Sequence, residues 1–227
     1  MSIPEFIQKA QQAFEAHSTT ERAPDMRAYM KDQFEFLGLS RPERNEIQKK
    51  LLPHFQIHDV KTLETVVRKL WKLNFREYHY LALDILATKK KLIPQLNFEF
   101  LNFLVESNQW WDSIDTISSK VIAPYYLFHK KAYRFDLKVW WESDDFWKRR
   151  VCIIFQLKFK DKTDLDFLSK RILENASSKE FFLQKAIGWS LREYSKTDPD
   201  WVTTFVEKNE LKPLSRREAL RLMINDK

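Results

Sequence analysis

The segment Trp110-Trp111-Asp112-Ser113-Ile114-Asp115 sets an indole and a carboxylate four positions apart, at Trp111 and Asp115. On a helix, that spacing puts the two side by side on one face. A ring face and a carboxylate both favour positive charge, the more so where water is partly excluded, so the pair suits a cationic ligand. The plainer reading is that Asp115 pairs with an arginine while Trp111 fills a groove between helices. A second segment, FFLQKAIGWSLREYSK at 181–196, sets Leu183, Ala186, Ile187, Ser190, Leu191 and Tyr194 at the spacing of one buried face. Lys185, Trp189, Arg192 and Lys196 fall on another face, so a large aromatic stands among cations. Taken alone, this segment is explained more simply by Trp189 packing on a neighbouring helix. In the third, Trp147-Lys148-Arg149-Arg150, the two arginines diverge around a helix: one can meet a phosphate or hold a carboxylate while the other stays in water.

Other chemistries lack their residues. His54 and His58 are four apart, but Pro53 adjoins the first and the helix ends there, so a metal pair is not expected. There is no His-Glu-x-x-His run, no Gly-x-Ser-x-Gly elbow, no glycine-rich phosphate loop and no Cys-x-x-Cys pair. The one cysteine, Cys152, lies in the apolar run Val151 to Phe155, so no intrachain disulfide can form and the chain suits a reducing compartment. It reads as a small buried hydrophobe.

Helices must position these residues. Two glycines in 227 residues leave little for hairpin turns, while Leu, Lys, Glu and Ala suit helix. The pattern predicts about a dozen short amphipathic helices. Ser40-Arg41-Pro42-Glu43 resembles a capping box directly after Gly38 closes the previous helix, which makes a helix-turn-helix junction. Paired helices are expected at about 59–73 with 75–90, 97–107 with 110–128, 135–142 with 144–159, and 163–176 with 179–196. Their repeated size suggests a HEAT-type solenoid, whose concave face commonly binds extended partners. An ordinary helical bundle is the alternative. No linker is visible, so residues 1–227 read as one domain.

A net charge of +7 favours an anionic partner, nucleic acid or an acidic membrane surface. No single helix has the strongly basic amphipathic pattern of a membrane-surface binder. The start, Met1-Ser2-Ile3-Pro4-Glu5-Phe6, lacks a basic segment followed by an apolar core, and no apolar stretch approaches spanning length. A cytoplasmic location is expected.

Three segments together resemble the AlkD-like alkylpurine DNA glycosylases, a DNA alkylation repair family: WWDSID at 110–115, FWKRRVCIIFQ at 146–156 and FFLQKAIGWSLREYSK at 181–196. RAYMKDQFEFLGLSRPER at 27–44 and LSRREALR at 214–221 extend the likeness over nearly the whole chain, in the family's order. The resemblance implies an all-α, right-handed superhelix of tandem HEAT-like antiparallel helix pairs whose concave basic face holds duplex DNA. It implies Asp115 as the catalytic carboxylate, Trp111 and Trp189 lining the cleft beside the damaged nucleotide, Arg150 supporting that site and the DNA backbone, Tyr29 in the aromatic wall and Arg192 close by. Arg149 and Lys185 join the expected DNA-contacting set from the basic segments described above.

One carboxylate suffices for such chemistry. Ordinary glycoside hydrolysis uses two, one of them to protonate the leaving group. A purine alkylated at N3 or N7 is already cationic and departs neutral, so what remains is to stabilise positive charge on the deoxyribose and direct water at C1′. The family resembled contacts sugar and phosphates while the base stays in the duplex, which implies a preference for labile cationic lesions. No metal or organic cofactor, no catalytic lysine and no second subunit is implied. The competing reading is a non-catalytic HEAT-like scaffold that binds nucleic acid or an acidic partner by charge, though a scaffold needs no carboxylate in its basic groove.

Overall fold

A computed structural model describes residues 1–223. Among these residues it is all-helical: fifteen α-helical stretches and no strand, with one isolated parallel bridge between Glu35 and Phe75. The chain divides into two compact units, Met1–Leu96 and Asn97–Lys227.

The first unit holds α1 (Ile3–Glu15), α2 (Ala23–Tyr29), α3 (Arg41–Leu51), α4 (Val60–Trp71) and α5 (Arg76–Thr88). Capping explains where several begin. Ser2 and Glu5 form a reciprocal box at α1, Ser40 and Glu43 another at α3, and the Asp59 side chain accepts from Thr62 N–H at α4. Phe6, Ala10 and Phe14, four apart, form the buried stripe of α1, with Phe6 stacked on Phe55 at 4.2 Å between centroids. The short connection between α4 and α5 folds the second back on the first, and the two pack together.

Gly38 does not close a helix. α2 ends at Tyr29, and Gly38 sits in the extended stretch before α3 with a φ of +84°. That left-handed geometry turns three successive amides toward one group: Leu37, Gly38 and Leu39 donate to the buried Glu77 carboxylate at 3.0, 3.0 and 3.1 Å. Periodicity cannot reveal this, because the acceptor lies about forty positions away.

The second unit holds α6 (Phe98–Glu106), α7 (Trp111–Ile117), α8 (Ala123–His129), α9 (Tyr133–Asp136), α10 (Lys138–Trp141), α11 (Phe146–Ile154), α12 (Leu165–Asn175), α13 (Phe181–Tyr194), α14 (Pro199–Lys208) and α15 (Pro213–Leu220). The helix expected at 110–128 is present but locally underwound: α7 passes into α8 through a π-helical stretch, Ser118–Ile122. Pro124 supplies the reason. It has no N–H for Lys120, and its ring would strike that carbonyl in a regular helix, so the ladder shifts and Ala123 N–H donates to Ser118 C=O instead. The helix expected at 144–159 ends early, at Ile154, and the chain turns so that the Gln156 side chain can accept from Asp164 N–H at 2.8 Å. α13 packs on both α11 and α15, around a core that includes Ile153, Leu183, Ile187, Leu191 and Val206. Cys152 is buried beside it, and burial pushes its thiol pKa far up, as expected of an inert small hydrophobe.

Candidate active site

The Asn108 turn, with a φ of +51°, leads into α7, and the Ser113 hydroxyl closes it onto the carbonyls of Asn108 and Trp110 at 3.2 and 3.1 Å. α11 starts at Asp145, whose carboxylate accepts from Trp147 N–H at 2.8 Å and also from the Gln109 side-chain amide. One aspartate therefore caps α11 and ties the start of α7 to it. Five residues into α11 from that anchor stands Arg150, and four residues along α7 from Trp111 stands Asp115.

The two side chains meet in a planar fork. Arg150 Nε donates to Asp115 Oδ1 at 2.9 Å and Nη2 to Oδ2 at 2.8 Å, while Nη1 donates to the Phe182 carbonyl in the first turn of α13. Three helices are pinned by one guanidinium. Only 5% of the Arg150 side chain is exposed against 20% for Asp115, so the arginine is sealed and the carboxylate keeps an open edge. Each carboxylate oxygen retains a lone pair not used by the fork. Burial raises the Asp115 carboxyl above its ordinary value; the hydrogen bonds and charge of Arg150 oppose that shift, and Asp112 adds to it.

An aromatic nest stands next to the arginine of this pair. Trp110, Trp147 and Phe182 form a nest with centroids 4.8 to 5.7 Å apart, and Phe146 lies against Trp147 at 4.7 Å. Trp147 precedes Arg150 by one turn of α11, and Phe182 supplies the carbonyl that receives it. A charge beside such a nest is screened less than in water, which strengthens its field on any ligand brought to the open edge.

On α13, Phe182, Lys185, Trp189 and Arg192 follow one another at helical spacing along one stripe. The stripe is less open than the sequence suggests. Trp189 is half-buried against the unit's core, and Lys185 and Arg192 both bind the Glu218 carboxylate of α15, at 3.0 and 2.6 Å. Lys196 pairs with Glu193 at 2.7 Å. Gly188 permits this: a Cβ there would lie 2.4 Å from Glu218 Cβ and 2.9 Å from the Ser215 carbonyl, so only glycine lets α15 come so close.

Of the residues singled out from sequence, Asp115 and Arg150 are joined directly, Trp111 lies one turn from Asp115 on α7, and Lys185 and Arg192 are joined through Glu218. Asp115 does pair with an arginine, and it also keeps an exposed edge. Arg149 is not the freely solvated partner: it is half-buried, with Nη2 3.4 Å from the Asp144 carbonyl and Nε enclosed without a hydrogen-bond partner. Tyr29 ends α2 in the first unit and is largely exposed. Sequence reasoning passed over Gln109, Asp145, Phe182 and Glu218. Asp145 carried a readable signal, an aspartate just before an apolar helical run; the others carried none.

The family model described as DNA alkylation repair enzyme matches residues 10–223. No curated protein is similar enough to match. Among solved structures, a predicted DNA alkylation repair enzyme from Enterococcus faecalis shares 34% identity and a TM-score of 0.81, over 90% of this chain and 95% of that one.

Proposed function

The chain belongs to the DNA alkylation repair enzyme family, and on that premise we propose that it is a monofunctional DNA glycosylase, hydrolysing the N-glycosidic bond of purines alkylated at N3 or N7 in duplex DNA and leaving an abasic site. The observation that carries the reading is the Asp115 carboxylate: fixed at two points by Arg150, seated beside an aromatic nest, and open on one edge.

Such a carboxylate is fixed before substrate arrives, so no reorganisation is needed as positive charge develops on the deoxyribose. A purine alkylated at N3 or N7 leaves as a neutral base, and no group has to protonate it. Arg150 keeps Asp115 ionised and aimed; it also offsets part of its charge, so the field that acts on the sugar is that of the carboxylate's open edge. Trp111 and Trp189 present indole faces to the cationic nucleotide, each contact worth on the order of 0.5–2 kcal/mol depending on desolvation. Lys185, Arg192 and Arg149 meet the phosphates, and Tyr29 contacts the DNA from the first unit. The lesion is addressed through its sugar and backbone, without flipping the base, so selectivity follows the lability of the bond: 3-methyladenine and 7-methylguanine are substrates and neutral lesions poor ones. The chain acts as a monomer in the cytoplasm, without metal or organic cofactor.

The test is base release from a duplex carrying a single 7-methylguanine, comparing the parent with Asp115→Asn. Loss of release with duplex binding kept supports the assignment. Equal inactivity of both proteins, each binding DNA, turns it toward the scaffold. Release of uracil as fast as 7-methylguanine overturns the selectivity argument.

A further inference from the structure

The Glu218 carboxylate holds the two cations that bracket Trp189. It is 11% exposed, placed against α13 by the missing Cβ of Gly188, and it binds Lys185 Nζ at 3.0 Å and Arg192 Nη1 at 2.6 Å. Lys185 and Arg192 are seven residues apart, two turns, and Trp189 lies between them on the same stripe. A long cationic side chain on a helix surface ordinarily samples many rotamers, and pinning two of them costs entropy that must be met at binding unless it is met by the fold. Glu218 meets it beforehand. Burial works against its ionisation, but the Lys185 hydrogen bond and the charges of Lys185, Arg192 and Arg221 hold its carboxyl below the ordinary range, so the clamp stays charged through neutral pH. The three groups sum to one positive charge, half of what the two cations offer unbridged.

Resting on the glycosylase reading, we propose that Glu218 is a positioning residue for the excision reaction: it presets Lys185 and Arg192 on either side of Trp189 and lowers the charge that the stripe offers to undamaged backbone. It touches no substrate. Its effect runs in two opposite directions, which an ordinary packing role does not produce. Removing its charge frees one cation equivalent, so the stripe grips any duplex harder; at the same time the cations lose their fixed places, so the lesion is held less productively.

The experiment uses the full chain with Glu218→Gln and Glu218→Asp, measuring affinity for an undamaged duplex across a salt series and single-turnover release of 7-methylguanine. For Glu218→Gln the expected result is tighter binding to undamaged DNA, a log–log salt slope steeper by about 0.9, the value of one neutralised phosphate, and excision slower by roughly ten- to a hundredfold, the scale of a small misplacement near a reacting centre. Glu218→Asp, which keeps the charge, restores the parent salt slope and most of the rate. An unchanged slope, an unchanged rate, or affinity and rate falling together with a lowered Tm overturns the proposal. If the parent itself releases no base, the glycosylase reading fails on its own account, and the salt-slope comparison alone decides the role of Glu218.

Discussion

Replacing Arg150 by methionine tests the site without any assumption about substrate. The change keeps a flexible stem of similar reach and removes three donors: two to Asp115 at 2.8–2.9 Å and one to the Phe182 carbonyl. Hydrogen bonds to charged groups are worth about 1.5–3 kcal/mol each, and stranding one partner of a buried pair costs about 3–5 kcal/mol. Because Asp115 keeps 20% exposure, water recovers part of that loss, and about 2–4 kcal/mol is expected at pH 8. For a chain of this length that is a Tm lower by roughly 5–15 °C. The penalty must also depend on pH in a definite direction. Burial already lifts the Asp115 carboxyl above 3.8, and Arg150 is the group opposing that lift, so in Arg150→Met the folded-state value climbs further while the unfolded value stays ordinary. The folded protein then binds the proton more tightly than the unfolded chain does. The penalty of an unpaired carboxylate is therefore full above the raised folded value, shrinks by about 1.4 kcal/mol per pH unit between the two, and is gone below the unfolded value. Thermal or denaturant unfolding of parent and variant at pH 8 and pH 5 reads this directly. The double variant Asp115→Asn with Arg150→Met should regain most of the lost stability. A deficit equal at both pH values, or none at either, refutes the account of Asp115 as a partly buried charge that depends on Arg150.

If Asp115 acts as a carboxylate, 7-methylguanine release from the parent should fall in acid with an apparent midpoint above the ordinary 3.8, because burial raises that group; a rate flat down to pH 4 contradicts this. Gly188→Ala puts a methyl 2.4 Å from Glu218 Cβ and 2.9 Å from the Ser215 carbonyl, so α15 must move; a loss of about 2–3 kcal/mol is expected by denaturant unfolding, with weakened hold on Lys185 and Arg192. Gly38→Ala combines a φ of +84° with a Cβ 2.2 Å from the Thr19 carbonyl, and should cost at least about 2 kcal/mol by the same measurement. Borohydride should trap no covalent adduct with lesion-bearing duplex, since hydrolysis by Asp115 uses no amine nucleophile; a trapped species seen by denaturing electrophoresis contradicts the monofunctional assignment.

The helical class and most helix positions were legible because burial imposes a 3.6-residue period on residues such as Phe6, Ala10 and Phe14, and because caps such as Ser40 with Glu43 mark where helices begin. The Asp115–Trp111 juxtaposition was legible for the same reason. What periodicity cannot see is a partner far along the chain. Arg150 opposite Asp115 spans 35 positions, and Arg192 to Glu218 spans 26, so those pairings follow from helix-on-helix packing. Setting Lys185, Trp189 and Arg192 on a face apart from the buried one missed that Gly188 admits α15 against it. Gly38 was misread because a positive φ serves a carboxylate nest as well as it serves a helix end, and Pro124 turned one expected helix into two joined by a π-helical stretch.

The nest around Glu77 also bears on the order in which the first unit can be finished during synthesis. Leu37, Gly38 and Leu39 have their amides satisfied by a carboxylate that leaves the ribosome about forty residues after they do. At about 5–20 residues per second, those three amides spend roughly 2–8 s with water as their acceptor. During that interval the turn at Gly38 is held only from its N-terminal side, by Arg22 Nε donating to the Gly38 carbonyl at 3.0 Å and Thr19 N–H to the Leu37 carbonyl at 2.8 Å. The stretch between α2 and α3 is therefore completed from behind, when α5 arrives, and the amide protons of Leu37, Gly38 and Leu39 should exchange at the pace of α5 detachment rather than at that of a surface loop.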